Sequence, residues 1–423
     1  MQTPFIIAIM FICIIDDAQA PDGGTVSSAD ARHFMEFLYL SPEFPPNFAN
    51  FIFQLDKYGA SVWAMGEADF YDMPTRLRNV IRYYVRTDLT STKAVEKALE
   101  ELLYAKAAMG TPARFDVVES HNEIWLGLEA HINRILNIPG IRPEDLDRLK
   151  KKSAMKQQFI GCGLTVARGE RLKNPVHGLF LAKEIGFPLI LKPDEGVGAG
   201  GIHKVTDPAQ LEELLHRLDG EYFMEAFVDA PIVSYDGLVD RDGRLLFENS
   251  LTYGDGVLDY VHGKDTFFYV ERRIPKPLMD IGRQLVEAFD IRRKFFHFEF
   301  FHMGDTFMPI EINCRPPGGA ILDMMNYSVD DDLYSAYARM VTGRGQASVA
   351  SDKKFYCAYV GRRDRSYMFS HDQLLKRLDD ALVEFGENPK IFQEAMSRYR
   401  YIVRSTSRQK LLKMAGDIQR TKA

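Results

Sequence analysis

Of the 423 residues only four are cysteine, and Cys13, Cys162, Cys314 and Cys357 are scattered with no Cys-x-x-Cys spacing. That excludes a zinc ribbon and a disulfide framework, and it predicts a reducing, cytoplasmic compartment. Positive charge has no surplus either: 53 Lys and Arg stand against 59 Asp and Glu, a net charge of −6, so no nucleic-acid partner is expected. The apolar run at residues 5–15 is too short to span a bilayer, and no membrane partner is expected. No G-x-x-x-x-G-K-[ST] occurs, which removes the phosphate-loop class of nucleotide-binding proteins. Internal repeats and low-complexity tracts are also missing.

What is present is ordinary for a soluble globular protein, at 46% apolar and 26% charged. A chain of this length holds two to four compact units with ample core. Residues 5–15 have the length of a signal-peptide core, and Ala18-Gln19-Ala20 imitates a cleavage site. Nothing before Phe5 is basic, however, and Asp16-Asp17 follow at once. Residues 1–34 are therefore expected to be an N-terminal extension, with a signal-like segment as the competing reading.

From residue 35 the pattern alternates. Residues 35–40 and 61–65 read as strands, 47–58 and 92–109 as helices, and 115–119 as a further strand. Strands alternating with helices predict a parallel sheet in an α/β unit. Glu119 to Glu123 form a polar run at a strand's C-terminal end, where open α/β sheets place ligands; a helix cap by Ser120 or Asn122 explains it more simply. A basic helix is predicted over 149–160, with Lys150, Lys151, Lys152 and Lys156.

The stretch 187–205 carries Gly196, Gly198, Gly200 and Gly201. The glycines match G-x-G-x-x-G, but that dinucleotide motif needs a helix immediately after the loop, and here another strand follows. A glycine loop between two strands is instead a flap whose backbone N–H groups close over phosphates, with Lys192 just before it as a point charge. Strands are expected at 222–228, 232–239 and 244–248, and a helix at 277–290. After these, 320–342 reads as one helix and 355–360 as a strand, while 372–423 carries little chemical information.

The most informative stretch is 295–319, FFHFEFFHMGDTFMPIEINCRPPGG. It reads as a hairpin with its bend at 302–306. Period two puts Glu311, Asn313 and Arg315 on one face, and centring the hairpin on Asp305 sets Glu299 across from Glu311. Facing carboxylates repel, so a divalent cation between them is expected, with Asn313 adding an amide oxygen and Arg315 a fixed cation. In the turn after Arg315, Gly318 and Gly319 let backbone N–H groups approach a substrate carboxylate.

Together these pieces resemble the ATP-grasp superfamily, the carboxylate–amine ligases related to biotin carboxylase and D-alanine–D-alanine ligase. The resemblance covers about residues 141–343. It rests on the order of a helix lysine, a lysine-then-glycine flap, a Glu-containing hinge strand, a Glu and a Glu-x-Asn-x-Arg strand. It implies an α/β chain, α+β in the nucleotide module, with an ATP-grasp fold preceded by a Rossmann-like preATP-grasp domain. The units expected are 35–140 for that first domain, 141–345 for the ATP-grasp domain (flap part about 150–220, metal part about 221–345) and 346–423 for a C-terminal extension packed on it.

Carried over residue by residue, Lys152 and Lys192 look like the ATP-phosphate lysines, and the four glycines like the flap. Glu225 to Val228 look like the adenine hinge, read by backbone groups of Ala226 and Val228. Glu299, Glu311 and Asn313 match ligands of Mg²⁺ or Mn²⁺, and Arg315 the arginine that stabilises an acyl phosphate. Many relatives have a glutamate near 231–233 for the ribose; it is missing here, and Asp236 is the substitute. The activity implied is ATP-dependent ligation of a small carboxylate to a small amine through an acyl phosphate, in a homodimer. An ATP-grasp kinase or carboxylase, or a nucleotide-binding module without catalysis, are the alternatives.

Overall fold

A computed structural model describes residues 34–196, 200–254, 263–349 and 352–422. The expectations for Gly198 and for the extension at residues 1–33 lie outside the described residues. Among the described residues no helix is long and apolar enough to cross a membrane.

The first unit is a parallel sheet of β1 (Met35–Leu40), β2 (Ala60–Gly66), β3 (Ile81–Arg86) and β4 (Val117–Glu119), in the order β3-β2-β1-β4. β1 is apolar but for Glu36 because both its faces are covered, and that buried carboxylate is held by Trp63 Nε1 and Lys106 Nζ. Phe37 and Tyr39 point into a core shared with the helices Ala49–Lys57 and Leu333–Thr342; Leu38 and Leu40 pack with the helix Thr92–Ala108. β3 was absent from the sequence reading. Its exposed Arg82 and Arg86 belong to an edge strand, where alternation is weak.

A small antiparallel sheet follows, β5 (Gly169–Arg171), β6 (Leu189–Pro193), β7 (His203–Val205) and β8 (Tyr222–Ala226), in the order β5-β8-β6-β7. The glycine loop joins β6 to β7, strand to strand, and the helix Pro208–Leu215 comes only afterwards.

The large sheet has nine strands: β9 (Ile232–Val239), β10 (Leu245–Asn249), β11 (Leu251–Tyr253), β12 (Phe267–Val270), β13 (Lys294–Met303), β14 (Thr306–Asn313), β15 (Tyr356–Arg362), β16 (Leu382–Glu387) and β17 (Tyr399–Ser405). Its path is β14-β13-β9-β11-β12-β15-β17-β16, with β10 paired to β9. One face packs on the first unit and on the helices Ile321–Val329 and Leu333–Thr342. The other carries the helix Lys276–Ala288. Gly282 in that helix is there for contact: a Cβ would lie 2.2 Å from the Tyr235 ring. The single helix expected over 320–342 is broken, because Asp330 turns left-handed (φ 54) and Asp332 caps a new helix by accepting from the N–H groups of Tyr334 and Ser335.

The C-terminal residues are not uniform either. β15, β17 and β16 extend the same sheet as the β13–β14 hairpin, and the helices His371–Leu378 and Arg408–Gln419 cover them.

Candidate active site

The β13–β14 hairpin turns through two residues, Gly304 (φ 65) and Asp305, with Met303 paired to Thr306. The bend is tighter than the five residues expected. A symmetric hairpin about that turn would place Ile310 opposite Glu299. The register slips between Glu299 and Phe300, however, and the bulge at Ile310 brings Glu311 across from Glu299. Phe307, Ile312 and Cys314 then face the core, while Glu311 keeps the face it shares with Asn313.

Around this carboxylate pair lie the cations the sequence pointed to. Lys152 Nζ stands 3.9 Å from Glu311 Oε2, and the Asn313 amide donates to Glu311 Oε1 at 3.4 Å. Lys192, on β6, pairs with Glu225 of the hinge strand at 2.5 Å. Burial resists ionisation of Glu299, but His297, Arg315 and Lys192 together outweigh it, and the carboxyl is held below its ordinary range.

The basic helix is split. Lys151 is extended, leaving Leu146–Lys150 and Lys152–Gly161 as separate helices. The cause is Asp194, fully buried at the end of β6. Its carboxylate accepts from Ser153 N–H and Oγ, both at 2.7 Å, and its carbonyl from Lys152 N–H at 2.8 Å. The second helix therefore starts from the base of the flap. The four lysines of the stretch have different fates: Lys150, largely covered, pairs with the exposed Glu195, Lys151 pairs with Asp147 toward solvent, and Lys152 and Lys156 turn inward. Lys156 was not singled out from its neighbours in the sequence. It pairs with the second oxygen of Glu225 and donates to the Ala167 carbonyl at 2.6 Å. Burial opposes ionisation of Glu225, yet the ammonium groups of Lys192 and Lys156 hold it below the usual carboxylate range.

Two expectations need correction. Ala226 does not offer its N–H to a base, because Arg168's carbonyl accepts it at 2.8 Å; only its carbonyl remains for reading. Asp236 is not placed for a ribose. It is 1% exposed, and its carboxylate accepts from His297 Nδ1 (2.5 Å), Ser234 Oγ (2.6 Å) and Asn249 Nδ2 (3.1 Å). The Gly319 carbonyl accepts from Asn47 of the first unit, and a Cβ at Gly319 would lie 2.9 Å from Met396 Cε, whereas Gly318 faces open space.

Arg315 donates Nη1–H to the Pro316 carbonyl at 2.9 Å, and its Nε lies 3.8 Å from Glu123 Oε2. Glu123 closes the polar run after β4. Asn122 does cap there, accepting from Ile124 N–H at 3.1 Å, and Glu123 still reaches across to the arginine. Burial pushes the Glu123 carboxyl up, against the pull of Arg315. Glu119 and Glu129 grip Lys294 Nζ at 2.6 and 2.8 Å, so the first unit is pinned to the start of β13.

Gly196 accepts weakly from Lys152 Nζ at 3.5 Å, and Gly200 and Gly201 (φ 74) lead back into β7. Val228 lies just past β8, half-buried. Among the described residues no three His, Cys, Asp or Glu side chains converge as a closed metal site. Glu299 and Glu311 are an open pair of hard oxygen donors on adjacent strands. That suits Mg²⁺, which takes one or two carboxylates and completes its shell with water and phosphate oxygens.

No protein-family model matches the chain. An uncharacterized protein of Sinorhizobium fredii is 24% identical over 281 residues, 60% of this chain and 56% of that protein. An ATP-grasp enzyme of Aspergillus fumigatus is 27% identical over 173 residues, 39% of this chain and 28% of its own length. The D-alanine–D-alanine ligase of Xanthomonas axonopodis pv. citri is 30% identical over 128 residues, 27% of this chain and 39% of that enzyme. The match thus spans little more than half of the first of these relatives and less of the others. Among solved structures, an L-amino acid ligase from Bacillus licheniformis superposes with TM-score 0.69 at 14% identity, covering 91% of this chain and 96% of that one. The biotin carboxylase domain of the Hydrogenobacter thermophilus 2-oxoglutarate carboxylase, solved with MgADP and bicarbonate, gives TM-score 0.62 at 14% identity, covering 88% and 87%.

Proposed function

By its fold the chain belongs to the ATP-grasp superfamily, with a preATP-grasp domain ahead of the nucleotide module, and on that premise we propose that it is an ATP-dependent carboxylate–amine ligase. The observation that carries the reading is the bulge that sets Glu311 opposite Glu299, with Lys152 above the pair and Arg315 two residues beyond Asn313. A sheet with no phosphate to bind has no use for two facing carboxylates.

In this reading Lys152 and Lys192 hold the phosphates, and the flap glycines close over them. The Ala226 carbonyl and Val228 read the base beside the Glu225 bridge. Glu299, Glu311 and Asn313 hold Mg²⁺, which when bound neutralises charge on the phosphates. A carboxylate oxygen attacks the γ-phosphorus, the bond to the β–γ bridging oxygen breaks, and ADP departs from an acyl phosphate. The amine nitrogen then attacks the acyl carbon and loses a proton, and phosphate leaves. Arg315 stabilises the charge that builds on the transferred group at both stages.

The test is incubation with ATP, Mg²⁺ and pooled amino acids, scoring ADP and phosphate. A parallel reaction carries hydroxylamine, which traps an acyl phosphate as a hydroxamate. Amine-dependent phosphate release together with hydroxamate is the expected result. ADP release without hydroxamate or amide would refute ligation in favour of a kinase.

A further inference from the structure

One polar cluster lies beneath the carboxylate pair and belongs to none of the roles above. Along the sheet face that carries Glu299, β13 presents Phe295, His297 and Glu299 in turn, and β9 sets Leu238, Asp236 and Ser234 against them. Phe295 and Leu238 are core. One step on, where another apolar pair would pack, stand His297 (5% exposed) and Asp236 (1%). A buried polar pair adds little to stability against apolar residues of the same size, so its presence calls for another reason.

The hydrogen bonds supply one. Asp236 is fixed on both oxygens: Oδ2 accepts from Ser234 Oγ at 2.6 Å and from Asn249 Nδ2 at 3.1 Å, and Oδ1 faces His297 Nδ1 at 2.5 Å. The ring so held turns Nε2 toward Glu299 Oε1 at 3.3 Å. Glu311 is treated alike from the other strand, with Asn313 Nδ2 donating to its Oε1. Each carboxylate of the pair has one oxygen held by the residue two places away on its own face.

We propose that Asp236 and His297 form a strut that fixes Glu299 as a one-oxygen ligand, presenting Oε2 to the metal–nucleotide, with His297 a positioning residue rather than a ligand. The proposal rests on the metal role given to Glu299 in the ligase reading. A glutamate on a strand has three free torsions, and a partner held on its far side removes most of that freedom before the ion arrives. Partners of this kind hold metal affinity up by 10- to 100-fold on the order of magnitude. The same strut removes Asp236 from any role in nucleotide contact.

The test uses the whole chain and Mn²⁺ as probe, titrated by electron paramagnetic resonance with saturating ADP. The variant is Asp236→Asn combined with His297→Gln, which replaces both members of the contact together and leaves neither facing a lost partner. The expected result is Mn²⁺ affinity lowered about tenfold or more, with ADP affinity in EDTA within about twofold of wild type, a split that a merely structural role would not produce. Equal Mn²⁺ affinity in a folded double variant overturns the strut. No Mn²⁺ binding by the wild type overturns the metal site itself, and the strut with it. Should the double variant not fold, ¹⁵N-histidine spectra of the wild type decide. The His297 Nε2 signal should move on adding ADP with Mg²⁺ but not ADP in EDTA, and an unmoved signal refutes the proposal.

Discussion

His121 offers a direct probe of how the first unit is seated on the large sheet. Its ring lies flat on Phe51, 3.7 Å between centroids and 1° between planes, with the Tyr337 ring edge-on at 4.5 Å. Nδ1 meets the Tyr39 hydroxyl at 3.1 Å, and Nε2 has no partner. Burial pushes the imidazole down to about 3 from 6.5; the nearby Glu119 carboxylate opposes this and Lys294 adds to it. Because the folded value is depressed, the ring's contribution is complete above the unfolded pKa and is lost as pH falls toward the folded one. Between about pH 8 and about pH 5 the loss is about 2 kcal/mol, from the linkage relation with those two pKa values.

The perturbation is His121→Asn, since His121 sits at φ 56 and asparagine tolerates that region. Both tryptophans, Trp63 and Trp125, lie in the first unit, so urea unfolding followed by their fluorescence reports on it. Other titrating groups such as Glu129 are common to both proteins and cancel in the difference. The stability gap between wild type and variant should shrink by about 2 kcal/mol from about pH 8 to about pH 5. A gap constant to within about 0.5 kcal/mol over that range refutes the reasoning.

Glu311→Gln should keep the fold, because a half-exposed strand position accepts the amide, and lower Mg²⁺-dependent ADP release by roughly 10²-fold or more; a folded variant with normal ADP release removes the metal role. Arg315→Lys keeps the charge and loses the fork, so ATP affinity should stay within about threefold while turnover falls roughly 10²-fold; the reverse split, read from steady-state kinetics, makes Arg315 a binding residue only. Lys156→Met leaves the buried Glu225 with Lys192 alone. It should cost about 2 kcal/mol in urea unfolding and weaken ATP binding, whereas Lys151→Met, truncating a lysine paired toward solvent, should do neither.

The strongest sequence pattern was legible for a reason and wrong in a detail that happened to cancel. Glu299 does face Glu311, but through a tighter turn and a bulge; neither is visible in period-two alternation, because a bulge conserves the strand while shifting its partner. The strand–loop–strand setting of the glycines was legible because β6 is a short apolar run before them and no helix begins until Pro208. Of the four lysines only Lys152 stood out, and by resemblance alone; helical spacing does not separate Lys156 from its neighbours, and the break at Lys151 is imposed by Asp194, more than forty residues away. His297 was within reach: it stands two residues before Glu299 and so on the same face. Asp236 was chosen for the ribose by default, and only the pairing of β9 with β13 shows it spoken for. β5 and β11, each three residues long, carry too little pattern to read, and β16 lies at the sheet edge with half-exposed side chains.

The path of the large sheet also bears on how the chain comes off the ribosome. β12 ends at Val270, and the strand that pairs with its free side, β15, begins at Tyr356, with β17 and β16 beyond. The hairpin of Glu299 and Glu311, β13 and β14, is synthesised in between. Over the later part of that interval the hairpin residues have emerged while the β12 edge is still unpaired, with Phe268 and Val270 awaiting Tyr359 and Cys357. Unpaired apolar edges are where chains join wrongly. A message cut anywhere between the hairpin and β15 would therefore yield every residue of the site and a protein prone to aggregate.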